Sequence, residues 1–75
     1  MKIKVFTKEG CPPCKQLIPV ISEFENVELL NALDYIQEYG LRQAPTTIIL
    51  KDDKEVGRFV GFKTKQEITS YLESL

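Results

Sequence analysis

Cys11 and Cys14 are the only cysteines in a chain of 75 residues, and the two residues between them are Pro12 and Pro13. A deprotonated thiol is a strong nucleophile, and two thiols held close together can open another disulfide by closing their own. Three plainer roles fit less well. Structural zinc needs a second pair of ligands, and the chain has no other cysteine and no histidine. A purely structural disulfide would close a loop too short to restrict the unfolded chain much, and a reducing compartment would tend to open it. Inert buried thiols have no need of two intervening prolines. The composition of the motif therefore points to a redox dithiol.

The prolines make sense if a helix opens here. Cys11 then takes the N-cap, Pro12 and Pro13 the first two helical positions, and Cys14 the third. Proline is suited to the first turn, because the donor it lacks would have gone unpaired in any case. With both prolines lacking an N–H, the backbone N–H of Cys14 is the nearest group able to stabilise the Cys11 sulfur. The positive end of the helix dipole favours a thiolate at the same place. Lys8 and Lys15 add positive charge nearby and Glu9 opposes it. Cys11 is thus expected to attack, and Cys14, one turn inside, to resolve the mixed disulfide that results.

The rest of the chain must hold this pair in place. Ile3, Val5 and Phe6 mark a first strand over residues 2–6, followed by a loop. Leu17, Ile18, Ile21 and Phe24 recur at helical spacing and predict a helix over 12–25, kinked at Pro19. Residues 27–30 read as a second strand. Asn31 is placed to cap a helix over 32–39, with Leu33, Ile36 and Tyr39 on its inward face and Gly40 ending it. The β-branched run 46–50 predicts a central strand, residues 51–54 a hairpin turn, and residues 55–60 its antiparallel partner. Thr64-Lys65-Gln66-Glu67 fits a capping box, opening a last helix with Ile68, Tyr71, Leu72 and Leu75 along one face. The order β-α-β-α-β-β-α implies an α/β fold. A helix-linked parallel pair and a hairpin together give a four-stranded mixed sheet with helices on both faces.

Composition sets the outer limits. The length suits one domain, residues 1–75, and the 43% hydrophobic content is that of an ordinary globular chain. A net charge of −1 excludes the basic excess that general binding to nucleic acid or a membrane surface requires. Met1-Lys2-Ile3-Lys4 alternates charge with apolar residues, no secretory apolar segment follows, and no stretch approaches membrane-span length. The expected setting is the cytoplasm, where thiols are kept reduced. The chain is expected to act as a monomer without a cofactor.

These residues resemble the thioredoxin/glutaredoxin superfamily along essentially the whole chain. Val5-Phe6-Thr7-Lys8 leading into Cys11-Pro12-x-Cys14 is similar to the glutaredoxin opening, whereas Cys14-Lys15 followed by Pro19 is similar to thioredoxin. Residues Tyr39 to Thr46 resemble the thioredoxin segment that ends in a cis-proline. That stretch, with Gly61-Phe62, also resembles the redoxins that serve ribonucleotide reductase. Arg58-Phe59-Val60-Gly61 and the closing helix match small archaeal-type thioredoxins best. The resemblance implies a thioredoxin fold and a cis Pro45 facing the cysteines, with the backbone of Ala44 pairing with a substrate chain; the alternative is a trans proline that merely starts the strand. It implies that Gly61 leaves room beside that groove, or is a plain turn glycine. It implies that Lys8 meets a glutathione carboxylate, or is a solvated surface lysine.

Three features depart from the family pattern. Gly10 stands where thioredoxins carry a tryptophan, Val5 stands where they carry a buried acid that relays protons, and Gly61-Phe62-Lys63 lacks the Gly-Gly-Asp type segment with which glutaredoxins hold glutathione. The expected activity is reduction of protein disulfides, ribonucleotide reductase being one candidate partner, with electrons from a flavoenzyme of the thioredoxin-reductase type. The alternatives are a glutathione-dependent glutaredoxin, and an iron–sulfur carrier in which Cys11 from two subunits and two glutathiones hold the cluster. The stiffness of Pro12-Pro13 disfavours the last.

Overall fold

The computed structural model describes residues 1–75. Its strands are β1 (Lys2–Thr7), β2 (Val27–Asn31), β3 (Thr46–Lys51) and β4 (Lys54–Val60), and its helices are α1 (Pro12–Ile21), α2 (Ile36–Tyr39) and α3 (Lys65–Glu73). The strands form one sheet in the order β2-β1-β3-β4. β1 runs parallel to β2, antiparallel to β3, and β3 antiparallel to β4. This is the mixed sheet the sequence implies, with helices on both faces.

Alternation along β1 divides the core in two. Ile3 and Val5 face α1 and α3, packing with Leu17, Ile21, Ile49, Phe59 and Ile68. Phe6 faces the other way, against Ala32, Leu41, Ile48 and Leu50. Both sets are nearly free of water contact, as a small domain needs if burial is to offset the entropy of ordering it.

Two expected helices differ from those observed. α1 stops at Ile21 rather than continuing to residue 25. Glu23 and Phe24 donate instead to Val20 and Ile21, a tighter pattern that ends the helix, and Asn26 turns with φ 59° into β2. Phe24 still packs on the core, so its periodicity continues past the helix. The expected helix over 32–39 is broken. A 3-10 turn over Ala32–Asp34, capped by the Asn31 side chain accepting from the Leu33 N–H at 3.0 Å, gives way at Tyr35 to the short α2. Gly40 ends α2 in the left-handed conformation, φ 62°, as its position predicts.

The inward face of this region is also corrected. Tyr35 and Tyr39 lie on Phe6, with ring centroids 5.4 and 4.9 Å from it, while Leu33 and Ile36 point outward, 66% and 46% exposed. The aromatic rings fill the space above Phe6 and rotate the two aliphatic residues out.

The second half follows its signals closely. Asp52 and Asp53 both have positive φ, 51° and 64°, which a two-residue hairpin of the type I′ class requires. A bulge between Ile49 and Leu50 shifts the register of β4. Gly57 there gives α3 room: a Cβ would stand 2.6 Å from the Tyr71 hydroxyl. Ile68, Tyr71, Leu72 and Leu75 pack onto the core as the stripe predicts. No helix is long and apolar enough to cross a membrane.

Candidate active site

Cys11 is the N-cap of α1, with extended backbone (φ −109°, ψ 101°) and Pro12 and Pro13 at the first two helical positions. The first donor the helix can offer is the Cys14 N–H, and it points at the Cys11 sulfur, N to Sγ 3.3 Å. A sulfur thus takes the place that a serine or aspartate oxygen usually fills. The Cys11 carbonyl accepts from Lys15 at 3.1 Å, closing the first turn. Cys11 and Cys14 form a disulfide across a Cα separation of 5.2 Å.

The sulfurs are unequally placed. Cys11 retains 5% of its surface and Cys14 1%, so Cys11 is the one at the surface of the fold. Pro12 and Pro13 are exposed and form the rim, as are Lys8 and Lys15. On its other side the Cys11 sulfur lies 3.5 Å from the Ala44 carbonyl oxygen. In the oxidised state this is a contact without a proton. In the reduced state a Cys11 thiol can donate to that oxygen.

The Ala44 segment belongs to the loop before β3. The Ala44–Pro45 peptide bond is cis, as the resemblance implies, and Pro45 is buried. Thr46 Oγ1 donates to the Gln43 carbonyl at 2.6 Å, and Gly61 N–H to the Pro45 carbonyl at 2.9 Å. These bonds tie the loop to itself and to the end of β4. Gly61 has φ 87°, and a Cβ there would meet nothing within 4 Å. Its backbone conformation explains the glycine, and the space beside it stays open. Lys8 shares the lining of a shallow cavity of about 90 Å³ with Leu33, Ile36, Leu41, Arg42 and Ala44, so the outward-turned aliphatic residues adjoin the loop that faces Cys11.

Of the sequence-derived site residues, Cys11, Cys14, Ala44 and Pro45 come together around the disulfide, Gly61 joins them through Pro45, and Lys8 lines a cavity together with Ala44. Leu33 and Ile36 were expected inside and instead flank the site. Thr47 carries no signal of its own in the sequence. Its hydroxyl is fully buried and hydrogen-bonds to no other protein group. A polar residue inside a β-branched run reads as a strand former; its pairing with Val5 is what sets it apart.

The groups with shifted titration lie elsewhere. The Tyr39 hydroxyl, accepting from Lys4 at 3.1 Å, holds that lysine above its ordinary value. Arg58 holds the Glu55 carboxyl below the usual range, and the Thr64 backbone N–H does the same for Glu67. No group of three or more histidine, cysteine, aspartate or glutamate side chains is arranged to hold a metal ion.

The family model described as Thioredoxin matches residues 3–74. The chain is 38% identical over 72 residues to a thioredoxin of Chlamydia caviae, covering 84% of this chain and 71% of that one. It is 32% identical over 74 residues to a thioredoxin of Bacillus subtilis, covering 84% and 70% respectively. Among solved structures, desulfothioredoxin from Desulfovibrio vulgaris Hildenborough superposes with a TM-score of 0.88 at 23% identity, covering 99% of this chain and 80% of that one, which supports the fold alone. Thioredoxin 1 from Thermosipho africanus superposes with a TM-score of 0.80 at 26% identity, covering 99% and 92%.

Proposed function

Because the chain belongs to the thioredoxin family of disulfide oxidoreductases, we propose that it reduces protein disulfides with Cys11 as nucleophile and Cys14 as resolving thiol. The observation that carries this reading is the Cys11 sulfur at the N-cap of α1, accepting the Cys14 N–H at 3.3 Å and facing the Ala44 carbonyl at 3.5 Å. The first contact and the helix dipole favour a Cys11 thiolate; the second brings the sulfur beside backbone that an extended substrate can pair with.

In the reaction, the Cys11 thiolate attacks one sulfur of the substrate disulfide and the other substrate sulfur leaves as a thiolate. The Cys14 thiolate then attacks Cys11, the substrate's second sulfur leaves, and the Cys11–Cys14 bond re-forms. Pro12 and Pro13 form the exposed rim past which the substrate approaches, and Ala44, Pro45 and Gly61 the groove in which it lies. The exposed Leu33 and Ile36 beside that groove suit an apolar polypeptide better than a small hydrophilic thiol. A cytoplasmic setting, a monomeric chain and ribonucleotide reductase as one possible class of client belong to this proposal.

The proposed electron source is a flavoenzyme of the thioredoxin-reductase type rather than glutathione. Glutathione carries two carboxylates and needs several converging donors, and only Lys8, Arg42 and the Ala44 backbone adjoin the groove. Each missing charge-assisted bond weakens binding by about 1.5–3 kcal/mol, roughly ten- to a hundredfold in affinity. The test is the rate of insulin disulfide reduction with each donor at matched driving force. Faster turnover with the flavoenzyme is expected; faster turnover with glutathione would assign the chain a glutaredoxin's role.

A further inference from the structure

We infer that Thr47 serves the second half of this reaction, its buried hydroxyl donating a hydrogen bond to the Cys14 sulfur when that sulfur is a thiolate. The inference rests on the proposed role of Cys14 as the resolving thiol.

Thr47 carries the one buried side-chain oxygen or nitrogen in the chain that has no hydrogen-bond partner. Burying a hydroxyl unpaired is unfavourable, and valine, which has the same shape, would fill the site without that penalty. Burial alone therefore does not account for a threonine here. Its position does. Thr47 pairs with Val5 on β1 and with Phe59 on β4, and both belong to the core beneath α1 and α3. Thr46 and Ile48 point to the opposite face, so Thr47 is the first residue of β3 whose side chain faces α1. Cys14 is the first inward residue of α1, one turn before Leu17, which packs with Val5 in the same cluster. The contact of the Cys11 sulfur with Ala44, three residues before Thr47, brings this end of α1 to this end of β3. Thr47 thus lies on the face of β3 that packs toward α1 and α3, at the end of the strand nearest the disulfide.

Reduction creates the need that the oxidised state lacks. Once Cys11 is bonded to substrate, Cys14 must lose its proton in a site where it is 1% exposed and where Val5 offers no polar atom. Burial in apolar surroundings raises a thiol's pKa and so disfavours the attacking form. The ionisable groups near this face are few: Cys11, Lys63 with its Nζ 5.4 Å from the Phe59 ring centroid, and Tyr71, whose hydroxyl donates to the Arg58 carbonyl. The only buried polar or charged side chains are those of Thr46 and Thr47, so no carboxyl group is buried in the core. The Thr47 O–H donates to the Cys14 thiolate while it attacks Cys11. The new Cys11–Cys14 bond forms, the bond from Cys11 to the substrate sulfur breaks, and the departing substrate thiolate takes up the proton that Cys14 gave to solvent. Thr47 keeps its own proton throughout.

The test compares wild type, Thr47→Val and Thr47→Ser in rapid-quench reactions with a disulfide-bonded protein, separating formation of the mixed disulfide from its resolution. In Thr47→Val, formation should be unchanged, resolution at neutral pH about tenfold slower, and the midpoint of its pH dependence about one unit higher, the size expected for one hydrogen bond to a charged group. Thr47→Ser should restore both. Equal resolution rates and pH midpoints in wild type and Thr47→Val would overturn the inference. Cys14→Ser runs in parallel: a stable adduct at Cys11 upholds the underlying reaction, whereas an adduct at Cys14 in the wild type would refute the assigned roles regardless of Thr47. An independent reading needs no substitution at position 47. In reduced protein, the Thr47 side-chain carbon resonances should shift with the same midpoint as those of Cys14, and an absence of that inflection would also overturn it.

Discussion

A sulfur standing in for a capping oxygen is the chemical centre of this molecule. The Cys14 N–H and the dipole of α1 favour the Cys11 thiolate, while the Ala44 carbonyl at 3.5 Å opposes it. The N–H is the closer of the two groups, and it acts together with the dipole. Cys11 should therefore titrate below the ordinary thiol value of about 8.5. Alkylation rate against pH in the reduced protein measures this; a midpoint at or above that value, or faster labelling of Cys14, would count against it. The motif and the turn before β3 were readable from sequence because their residue types have few other uses: two prolines between cysteines, and Ala44-Pro45-Thr46 before a strand. Thr47 was not readable, because threonine in a strand is ordinary and only the sheet register puts its hydroxyl opposite Val5 in a sealed layer.

Among the elements, α3 is held by local rules most clearly. Thr64 Oγ1 accepts from the Glu67 N–H at 3.1 Å and the Glu67 carboxylate accepts from the Thr64 N–H at 2.9 Å, a complete capping box. Thr64→Ala should destabilise the fold by about 1 kcal/mol, lowering Tm by about 4–8 °C in a domain of this size. The Glu67 half has a definite pH sense. Its carboxyl is held below the ordinary value of 4.5, so its contribution is present above that value and disappears as pH falls through the lower, folded-state value. The stability difference between wild type and Glu67→Ala should accordingly shrink on acidification; a difference that is constant from neutral to strongly acid pH would contradict this. α3 and the hairpin were legible because their signals are local. The region over 32–39 was not, because Leu33, Ile36 and Tyr39 have helical spacing whichever face is buried. The choice is made by Phe6, distant in sequence, which takes Tyr35 and Tyr39 and leaves the aliphatic pair outside. Periodicity likewise carried α1 past Ile21, since Phe24 packs on the same core from a turn.

At the scale of the whole molecule, the sheet sets the dithiol against the loop before β3. β1 leads into α1, and β3, its antiparallel neighbour, begins at the same end of the sheet. The connections fixed which strands are parallel and which antiparallel, because a helix must intervene in one case and a tight turn suffices in the other. They did not fix that β1 lies between β2 and β3, and it is this adjacency that brings Ala44 to Cys11. The account stands on the transfer of electrons from this one pair of thiols to a protein disulfide. The direct measurement is a single turnover: the reduced chain mixed with an equimolar amount of insulin, quenched in acid, and both proteins assayed for thiols by mass spectrometry. The account predicts that insulin thiols appear in step with formation of the Cys11–Cys14 bond and that Cys11→Ser produces neither. Insulin thiols that appear undiminished with Cys11→Ser, or a chain whose thiols stay reduced in the presence of insulin, would contradict it.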